Sequence, residues 1–517
     1  MTIPFFLIRE PLLMLLRLLS LFAALALVAF QPAQAKDATA GIWVFDTSLS
    51  YPGVQMMELT QRNRKLSGIL TTRWYGAMEM QNIERRGDTI AFDMRNLNDK
   101  ANPTRRWTAT VSDGRVTLTG DIWYAHVEQT GRRGTKGEAK ARRFKPVQLP
   151  PLAPVAADGL AATPPMGWSS WNKFAERIDD KTVREIADAM VSSGLRDAGY
   201  VYVNIDDGWQ GTRGPDGAIR PNEKFPDMKA LADYVHARGL KIGIYSSPGP
   251  MTCAGYIGSY GHVEQDARTF AEWGMDYLKY DLCSGEWFYS SRDEVQRAYQ
   301  QMGAALKATG RDIVYSLCQY GRVEVSEWGR DVGGHLWRTT GDITDDFAKM
   351  SDIGFDRNPK FGNAGPGGWN DPDMLEVGNG GMTETEYRTH MTLWAMSAAP
   401  LLMGHDLRTM DEATRAILSR REVIAVDQDV KGAQGRVVSK DGDAEIWAKP
   451  LSDGSVAVAL FNRGTTGRSI SVAPGDAGFR SLLGGRDLWR GTDVDTNMLD
   501  FAVPAHGSVM LRLSGRH

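Results

Sequence analysis

From Met166 to about Val426 the chain repeats one pattern: a short apolar strand, a loop that opens on polar residues, then an amphipathic helix. No other feature constrains the fold as tightly, because alternating strands and crossover helices leave few topologies open. The strand-like runs are Met166-Gly167-Trp168, Gly199 to Asp207, Leu240 to Tyr245, Asp276 to Cys283, Asp312 to Cys318, Leu336-Trp337-Arg338, Trp369 to Met374 and Ala399 to Met403. Helical periodicity lies between them. Val183, Ile186, Ala187, Met190 and Val191 recur on one face behind Asp179 or Asp180 as cap, and Met228, Leu231 and Val235 do so between Asp227 and Gly239. Tyr387 to Ala398 and Glu412 to Leu418 also read as helices. About eight strands alternating with helices over about 260 residues is the size and rhythm of a (β/α)8 barrel. An open doubly wound sheet is the alternative, but no Gly-x-Gly-x-x-Gly follows the first strand.

The barrel, taken as residues 165–425, has β-rich flanks. Residues 37–145 alternate as short strands with Gly87-Asp88 and Asp113-Gly114 as turns, which predicts a small all-β domain, barrel or sandwich, with no helix. Residues 146–164 are rich in Pro and Ala and read as a semi-rigid linker. After the barrel, residues 426–517 hold strands at Ala444 to Ala448, Ser455 to Phe461 and Ser508 to Leu513, which predicts a C-terminal antiparallel β-sandwich. A chain of 517 residues is too long for one core, in keeping with this division.

Residues 1–35 read as an export signal. Arg9 and Arg17 accompany an apolar run from Leu12 to Phe30, and Ala33-Gln34-Ala35 offers a cleavage site. Nothing later is apolar enough to span a bilayer, so the expectation is a periplasmic or extracellular protein, free of the membrane after cleavage. Three cysteines allow at most one disulfide, and export would permit it. A net charge of −3 gives no argument for a nucleic-acid partner or an anionic membrane surface.

In a barrel of this kind chemistry sits at the C-terminal ends of the strands. There the sequence places Asp206 and Asp207, Tyr245, Asp281, Gln319, Arg338 with Asp342, and Asp371 with Asp373. The fourth strand is the centre of this set. Its alternation puts Lys279 and Asp281 on one side, where burial is costly unless the charges pair or meet a polar ligand. Alone, the two read equally well as a structural ion pair. In the company of so many polar strand ends they read as catalytic. No metal is expected: His pairs at ligand spacing and an EF-hand loop are absent, and Lys279 and Arg338 would repel a cation. A Gly-x-Ser-x-Gly elbow and a phosphate-cradling loop are absent too. Several carboxylates among many Trp and Tyr suit glycoside hydrolysis, which needs one ionised and one protonated carboxyl about an anomeric carbon. Lys279 would keep Asp281 ionised, and Asp342 would be the acid, with a raised pKa.

Seven motifs then carry a resemblance: Pro165-Met166-Gly167-Trp168-Ser169-Ser170-Trp171-Asn172, Ile205-Asp206-Asp207-Gly208-Trp209, Gly243-Ile244-Tyr245, Thr252-Cys253-Ala254-Gly255, Leu278-Lys279-Tyr280-Asp281-Leu282-Cys283, Trp337-Arg338-Thr339-Thr340-Gly341-Asp342 and Gly367-Gly368-Trp369-Asn370-Asp371-Pro372-Asp373-Met374-Leu375. Together they resemble glycoside hydrolase family 27, the α-galactosidases or melibiases, from about Pro165 to the C-terminus. The resemblance implies a retaining double displacement without cofactor, with Asp281 as nucleophile and Asp342 as acid/base. It implies that Trp171, Asp206, Asp207, Tyr245, Lys279, Arg338 and Asp373 hold a terminal galactose-like sugar, that Cys253 and Cys283 form a disulfide, and that Cys318 is a free, buried thiol. Gln319-Tyr320 departs from the acidic or Asn residue followed by Trp that many family members carry where the sugar C2 group is selected. The leading reading is therefore removal of terminal α-D-galactosyl groups from oligo- or polysaccharides. A β-L-arabinopyranosidase or another family glycosidase is the alternative within the fold, and a carbohydrate-binding protein on an inactive barrel is the alternative outside it.

Overall fold

The computed structural model describes residues 39–45, 54–63, 65–72, 74, 76–95, 104–122, 125–142, 145 and 147–516; the export signal expected at residues 1–35 lies outside them. The chain divides into two compact units, the first drawn from residues 1–143 and the second from residues 144–517 with the short segments 48–53 and 73–76.

The first unit is one antiparallel sheet. Its strands, in sheet order, are Gly76–Glu79, Lys65–Thr72, Val54–Arg62, Gly41–Phe45, Ala125–Arg133, Arg115–Ile122, Thr104–Ser112, Thr89–Arg95 and Gln81–Arg86. The two edge strands are consecutive in the chain, separated by Met80 alone, so the sheet curls until its edges approach. Met80 N donates to Gly68 O at 2.9 Å, which extends the pairing of the first edge strand with Lys65–Thr72 up to the junction. Inside the curl are Trp43, Met57, Leu70, Phe92, Trp107 and Leu118, all buried. Gly120 is required there, because a Cβ would come within 2.1 Å of the Trp107 ring. The expected β architecture is present, with one element the sequence does not suggest, a helix at Lys136–Arg142.

The second unit contains the barrel. Its eight parallel strands are β1 (Met166–Ser169), β2 (Tyr202–Asn204), β3 (Lys241–Ser246), β4 (Tyr277–Asp281), β5 (Val314–Cys318), β6 (Leu336–Arg338), β7 (Trp369–Asp371) and β8 (Leu401–Met403). Neighbours pair in chain order from β1 to β7, and β8 returns to pair with β1. The ring closes just beyond β7, where Leu375 N donates to Leu402 O at 2.7 Å and Leu375 bridges Met403. The barrel is thus the predicted (β/α)8 fold.

The helices follow their sequence signals. Asp180–Ser192 is capped by Asp179, whose side chain accepts from Thr182 N, and it buries Val183, Ile186, Ala187 and Met190. Met228–His236 is capped in the same way by Asp227. Glu384–Ser397 begins on a reciprocal Thr383–Glu386 capping box and is buried nearly all round, from Tyr387 to Ser397. It lies between the barrel and the C-terminal sheet Arg436–Asp441, Ala444–Pro450, Val456–Asn462, Ser508–Arg516, Ser481–Asp487, Thr492–Asp493. Every residue of Val456–Asn462 is buried because both faces are covered. Ala457, Ala459 and Phe461 join the barrel core, while Val458 and Leu460 pack with Ile470 and Val503 of a second, two-stranded sheet.

The Pro/Ala-rich stretch behaves differently from a free spacer. Val155 N donates to Asp331 O at 2.7 Å, Ala153 N to Gln300 Oε1 at 2.8 Å, and Trp369 Nε1 to Ala161 O at 2.8 Å. Leu160 and Ala161 pack on Tyr202, Tyr277, Val314, Leu336 and Trp369, the first residues of five strands. The segment therefore covers the N-terminal face of the barrel and leaves the opposite face for the polar strand ends.

Candidate active site

Asp281 closes β4 and is 5% exposed. Both carboxylate oxygens are held. Tyr245 of β3 donates its hydroxyl to Oδ2 at 3.1 Å, and Tyr320, in the loop after β5, donates to Oδ1 at 2.6 Å. Each phenol also touches one sulfur of the Cys253–Cys283 disulfide. Tyr245 Oη is 3.2 Å from Cys283 Sγ, and Tyr320 Oη is 3.3 Å from Cys253 Sγ. The parallel register sets Tyr245 beside Lys279 and Asp281 beside Cys318. Tyr320 reaches in from a turn in which it has φ +63° and Gly321 φ +74°. A Cβ at position 321 would lie 2.2 Å from Thr339 O, so glycine is needed to close that turn. Cys318 is the free, buried thiol.

Lys279 does share a face with Asp281, but its ammonium goes elsewhere. Nζ donates to Asp206 Oδ2 at 2.9 Å, and Ser169 Oγ donates to the same oxygen at 3.2 Å. A lysine is long enough to reach across the barrel mouth, and the carboxylate two residues past the end of β2 is the one it meets. Burial works against the ammonium, yet Asp206 holds its pKa well above the usual lysine value. Asp281 is therefore not simply kept ionised. Burial raises its carboxyl above the ordinary value, with Lys279 and the Tyr320 hydroxyl pulling it part of the way back.

Asp342 differs in every respect. Its side chain is 68% exposed, and Oδ1 accepts from Arg338 Nη2 at 3.0 Å. The surrounding wall disfavours its charge, but Arg338 and Lys279 overcome that and hold its pKa below the ordinary carboxylate value. This corrects the expectation of a raised pKa at Asp342. In the unliganded protein the order of the two carboxyls is the reverse, because the arginine four residues before Asp342 turns toward it.

Arg338 is buried and pairs with two acidic groups beyond the ends of β6 and β7, the second of which is bonded to a third. Besides Asp342 it meets Asp373 Oδ2 at 3.0 Å, and Asp373 N donates to Asp371 Oδ1 at 2.8 Å. Burial raises Asp371 to about 6 and also raises Asp373, against the pull of Arg338. Asp373 sits at φ +87°, a conformation a non-glycine residue rarely adopts and one often retained at working sites. Beneath these groups a cavity of about 20 Å³ is lined by Asp206, Lys279, Arg338, Asp371 and Asp373, among others.

Asp207 is buried and turned into the protein. Its Oδ2 accepts from Ala254 N at 2.7 Å and its Oδ1 from Gly208 N at 2.9 Å, so it anchors the loop that carries Cys253. Burial pushes its pKa up to about 7. Trp171 opens the short helix Trp171–Phe174 after β1 and is half-buried. Gln319 is fully buried, and neither its Oε1 nor its Nε2 has a partner. An orphaned buried polar atom costs about 1–3 kcal/mol, which a ligand hydroxyl would recover.

Sequence reasoning passed over two contributors. Tyr320 entered only as a departure from the family loop, yet it makes the shorter bond to Asp281. Glu376 accepts from Asn172, the residue after Trp171, and from Asn379 at 2.6 Å, and burial raises its pKa to about 7. The only signal for either was proximity in the chain to a motif. Among the described residues the one grouping with metal-ligand spacing is Cys253, Asp281 and Cys283, and its two sulfurs are joined to each other.

Comparison with known proteins covers the barrel and the sheet domain. Residues 163–429 match the family model described as alpha galactosidase A, and residues 441–513 that described as alpha galactosidase C-terminal beta sandwich domain. The chain is similar to an alpha-galactosidase of Cyamopsis tetragonoloba, 50% identical over 341 residues, which are 65% of this chain and 82% of that one. Among solved structures it is similar to alpha-galactosidase I of Mortierella vinacea, with a TM-score of 0.67 and 36% identity over 70% of this chain and 99% of the other. It is also similar to the alpha-galactosidase of Saccharomyces cerevisiae solved with raffinose, with a TM-score of 0.65 and 30% identity over 70% of this chain and 100% of the other.

Proposed function

The chain belongs to glycoside hydrolase family 27, the α-galactosidase family, and on that premise we propose that it is an exported retaining α-galactosidase that works through Asp281 and Asp342. The observation that carries the reading is the pairing of a buried carboxylate held at both oxygens, at the end of β4, with an open one beside Arg338, at the end of β6. In the first step an Asp281 oxygen bonds to the anomeric carbon. The glycosidic C–O bond breaks, and its electron pair takes the proton of Asp342. In the second step water gives a proton to Asp342 and its oxygen bonds to the anomeric carbon. The bond to Asp281 breaks and its electron pair returns to the carboxylate.

The sugar lies on Trp171, with Asp206 and Lys279 on one side and Arg338 and Asp373 on the other to exchange hydrogen bonds with its hydroxyls. The unpartnered Gln319 amide supports a polar group at C2. A sugar in this position competes with Asp342 for Arg338, which frees Asp342 to take up the proton it needs. Asp281 and the other acidic groups favour the positive charge that develops on the ring.

Three measurements test this. Proton NMR of the first-formed product from a nitrophenyl α-galactoside is expected to show the α anomer; first-formed β product would overturn retention. Rates on nitrophenyl α-D-galactoside and β-L-arabinopyranoside are expected to favour the former, and a clear preference for the arabinoside would overturn the substrate. For export, N-terminal sequencing of the mature protein is expected to begin after Ala35.

A further inference from the structure

We propose that Tyr320 is a positioning residue for Asp281, a second phenolic donor that fixes the carboxylate and stabilises the charge returning to it when the glycosyl-enzyme breaks down. The inference rests on the double-displacement reading and adds a residue to it.

The geometry is specific. Tyr320 Oη is 2.6 Å from Asp281 Oδ1, while Tyr245 Oη is 3.1 Å from Oδ2. With both oxygens engaged the carboxylate cannot turn about its Cβ–Cγ bond. Each phenol is in turn braced against one sulfur of the same disulfide. The Tyr320 backbone is held at φ +63°, and two further non-glycine residues of the same loop, Val323 and Glu324, also have positive φ. A loop carrying that much strain is kept where the surrounding structure demands it, and here it delivers one hydroxyl to one oxygen.

The chemistry follows from electron flow. When the C–O bond to Asp281 breaks, negative charge reappears on a carboxylate in a dry site. A donor already in place stabilises that charge without reorganisation. The other charged and titratable groups facing Asp281 are Lys279 on its own strand, Arg338 and Asp342 from the end of β6, Cys318 on β5, and Tyr245 and Tyr299. Lys279 and Arg338 are committed to Asp206, Asp342 and Asp373, which leaves the two phenols as the direct donors among these groups.

Tyr320→Phe removes the hydroxyl alone. The upper limb of kcat/KM, which Asp281 sets in a free enzyme whose Asp281 pKa lies above that of Asp342, is expected to rise by about one pH unit, because the ionised carboxylate loses a donor. On a nitrophenyl galactoside kcat is expected to fall on the order of tenfold, with KM falling alongside as glycosyl-enzyme accumulates. Mass spectrometry after alkylation, without reduction, confirms that Cys253 and Cys283 stay joined. Site-specific 3-fluorotyrosine at position 320, a more acidic phenol, is expected to move the limb the other way, downward. The proposal is overturned if the limb stays put in both proteins while the disulfide and melting temperature are retained. Should Tyr320→Phe not fold, the fluorotyrosine enzyme decides alone. The product anomer of the wild-type enzyme reports separately on retention, so failure of the underlying mechanism is distinguishable from failure of Tyr320.

Discussion

Asp281 and Asp342 are the same residue type at the ends of two strands of one barrel, yet their surroundings have little in common. Asp281 is 5% exposed, clamped by two phenols and backed by a disulfide. Asp342 has a side chain 68% exposed and is tied to one arginine. Burial raises the pKa of the first and cations lower that of the second. A nucleophile has to point one oxygen at one carbon, which calls for rigidity. An acid/base has to exchange its proton with water and leaving group, which calls for access. The contrast in environment matches that division of labour, while the pKa order of the empty site opposes it. The sugar therefore has to do part of the work, by drawing Arg338 away from Asp342.

The sharpest way to break the comparison is to remove each carboxylate in turn. Asp281→Asn is expected to lose on the order of 10⁴-fold or more in kcat on every substrate, with circular dichroism unchanged, since nothing else nearby can form the covalent bond. Turnover within tenfold of wild type would end the nucleophile assignment. Asp342→Asn is expected to lose about 10²- to 10⁴-fold on substrates with poor leaving groups. With a dinitrophenyl galactoside, whose leaving group needs no proton, the first step should be nearly spared and a burst should appear. An equal loss on both substrates would deny Asp342 the acid role.

Next comes the support beneath the buried member. Cys253→Ser with Cys283→Ser opens a link across 30 residues and withdraws the sulfurs from both phenols. A stability loss of about 2–4 kcal/mol is expected in urea unfolding. It should come with a fall in kcat larger than the change in KM, since the pocket of Asp281 loosens while the opposite wall keeps its sugar contacts. A variant less stable but equal in kcat would confine the disulfide to stability.

How much of this was legible follows from which interactions are local. The barrel could be read because strand periodicity, helix caps such as Asp179 and Asp227, and polar strand ends are written in neighbouring residues. The strand-end rule places Asp206, Asp281, Arg338 and Asp373 at the mouth of the barrel from sequence alone. What could not be read depends on where long side chains and loops finish. Lys279 lies two residues from Asp281 but pairs with Asp206, 73 positions away. Tyr320 meets Asp281 across 39 positions through a turn of positive φ that sequence does not announce. The Pro/Ala-rich stretch looked like a spacer because its partners, Asp331, Gln300 and Trp369, lie far along the chain.

The contrast between dry and wet carboxyls also predicts how stability depends on pH. Asp207 and Asp371, both buried, have folded-state pKa values of about 7 and about 6. The unfolded chain releases these protons near pH 4. The folded state binds more protons between those limits, so this contribution is full below about pH 4 and is lost as pH rises through about 6 and 7. The melting temperature is expected to fall by a few degrees between pH 5 and pH 8 at about constant salt, and Asp207→Asn should flatten that fall. A slope unchanged by the substitution would mean Asp207 is ionised throughout.

The smallest effect is the most discriminating. Salt screens charges that water can reach, with a Debye length of about 10 Å at 0.1 M and about 3 Å at 1 M, and screens buried pairs far less. Asp342 is held down by Arg338 and Lys279 at an open mouth, so raising salt should let its pKa climb by a few tenths of a unit. Asp281 is enclosed by phenols and a disulfide, so its pKa should stay where it is. In pH profiles of kcat/KM at low and high sodium chloride, one limb should move and the other should not. Because the two groups interact, the limbs report the pair and not either residue alone. Repeating the profiles with Asp342→Asn makes the assignment, since the salt-sensitive break should vanish and the Asp281 break should persist as a single rise with pH that salt does not move. If both limbs drift together with salt, Asp281 is reached by solvent and the distinction between the two carboxylates fails.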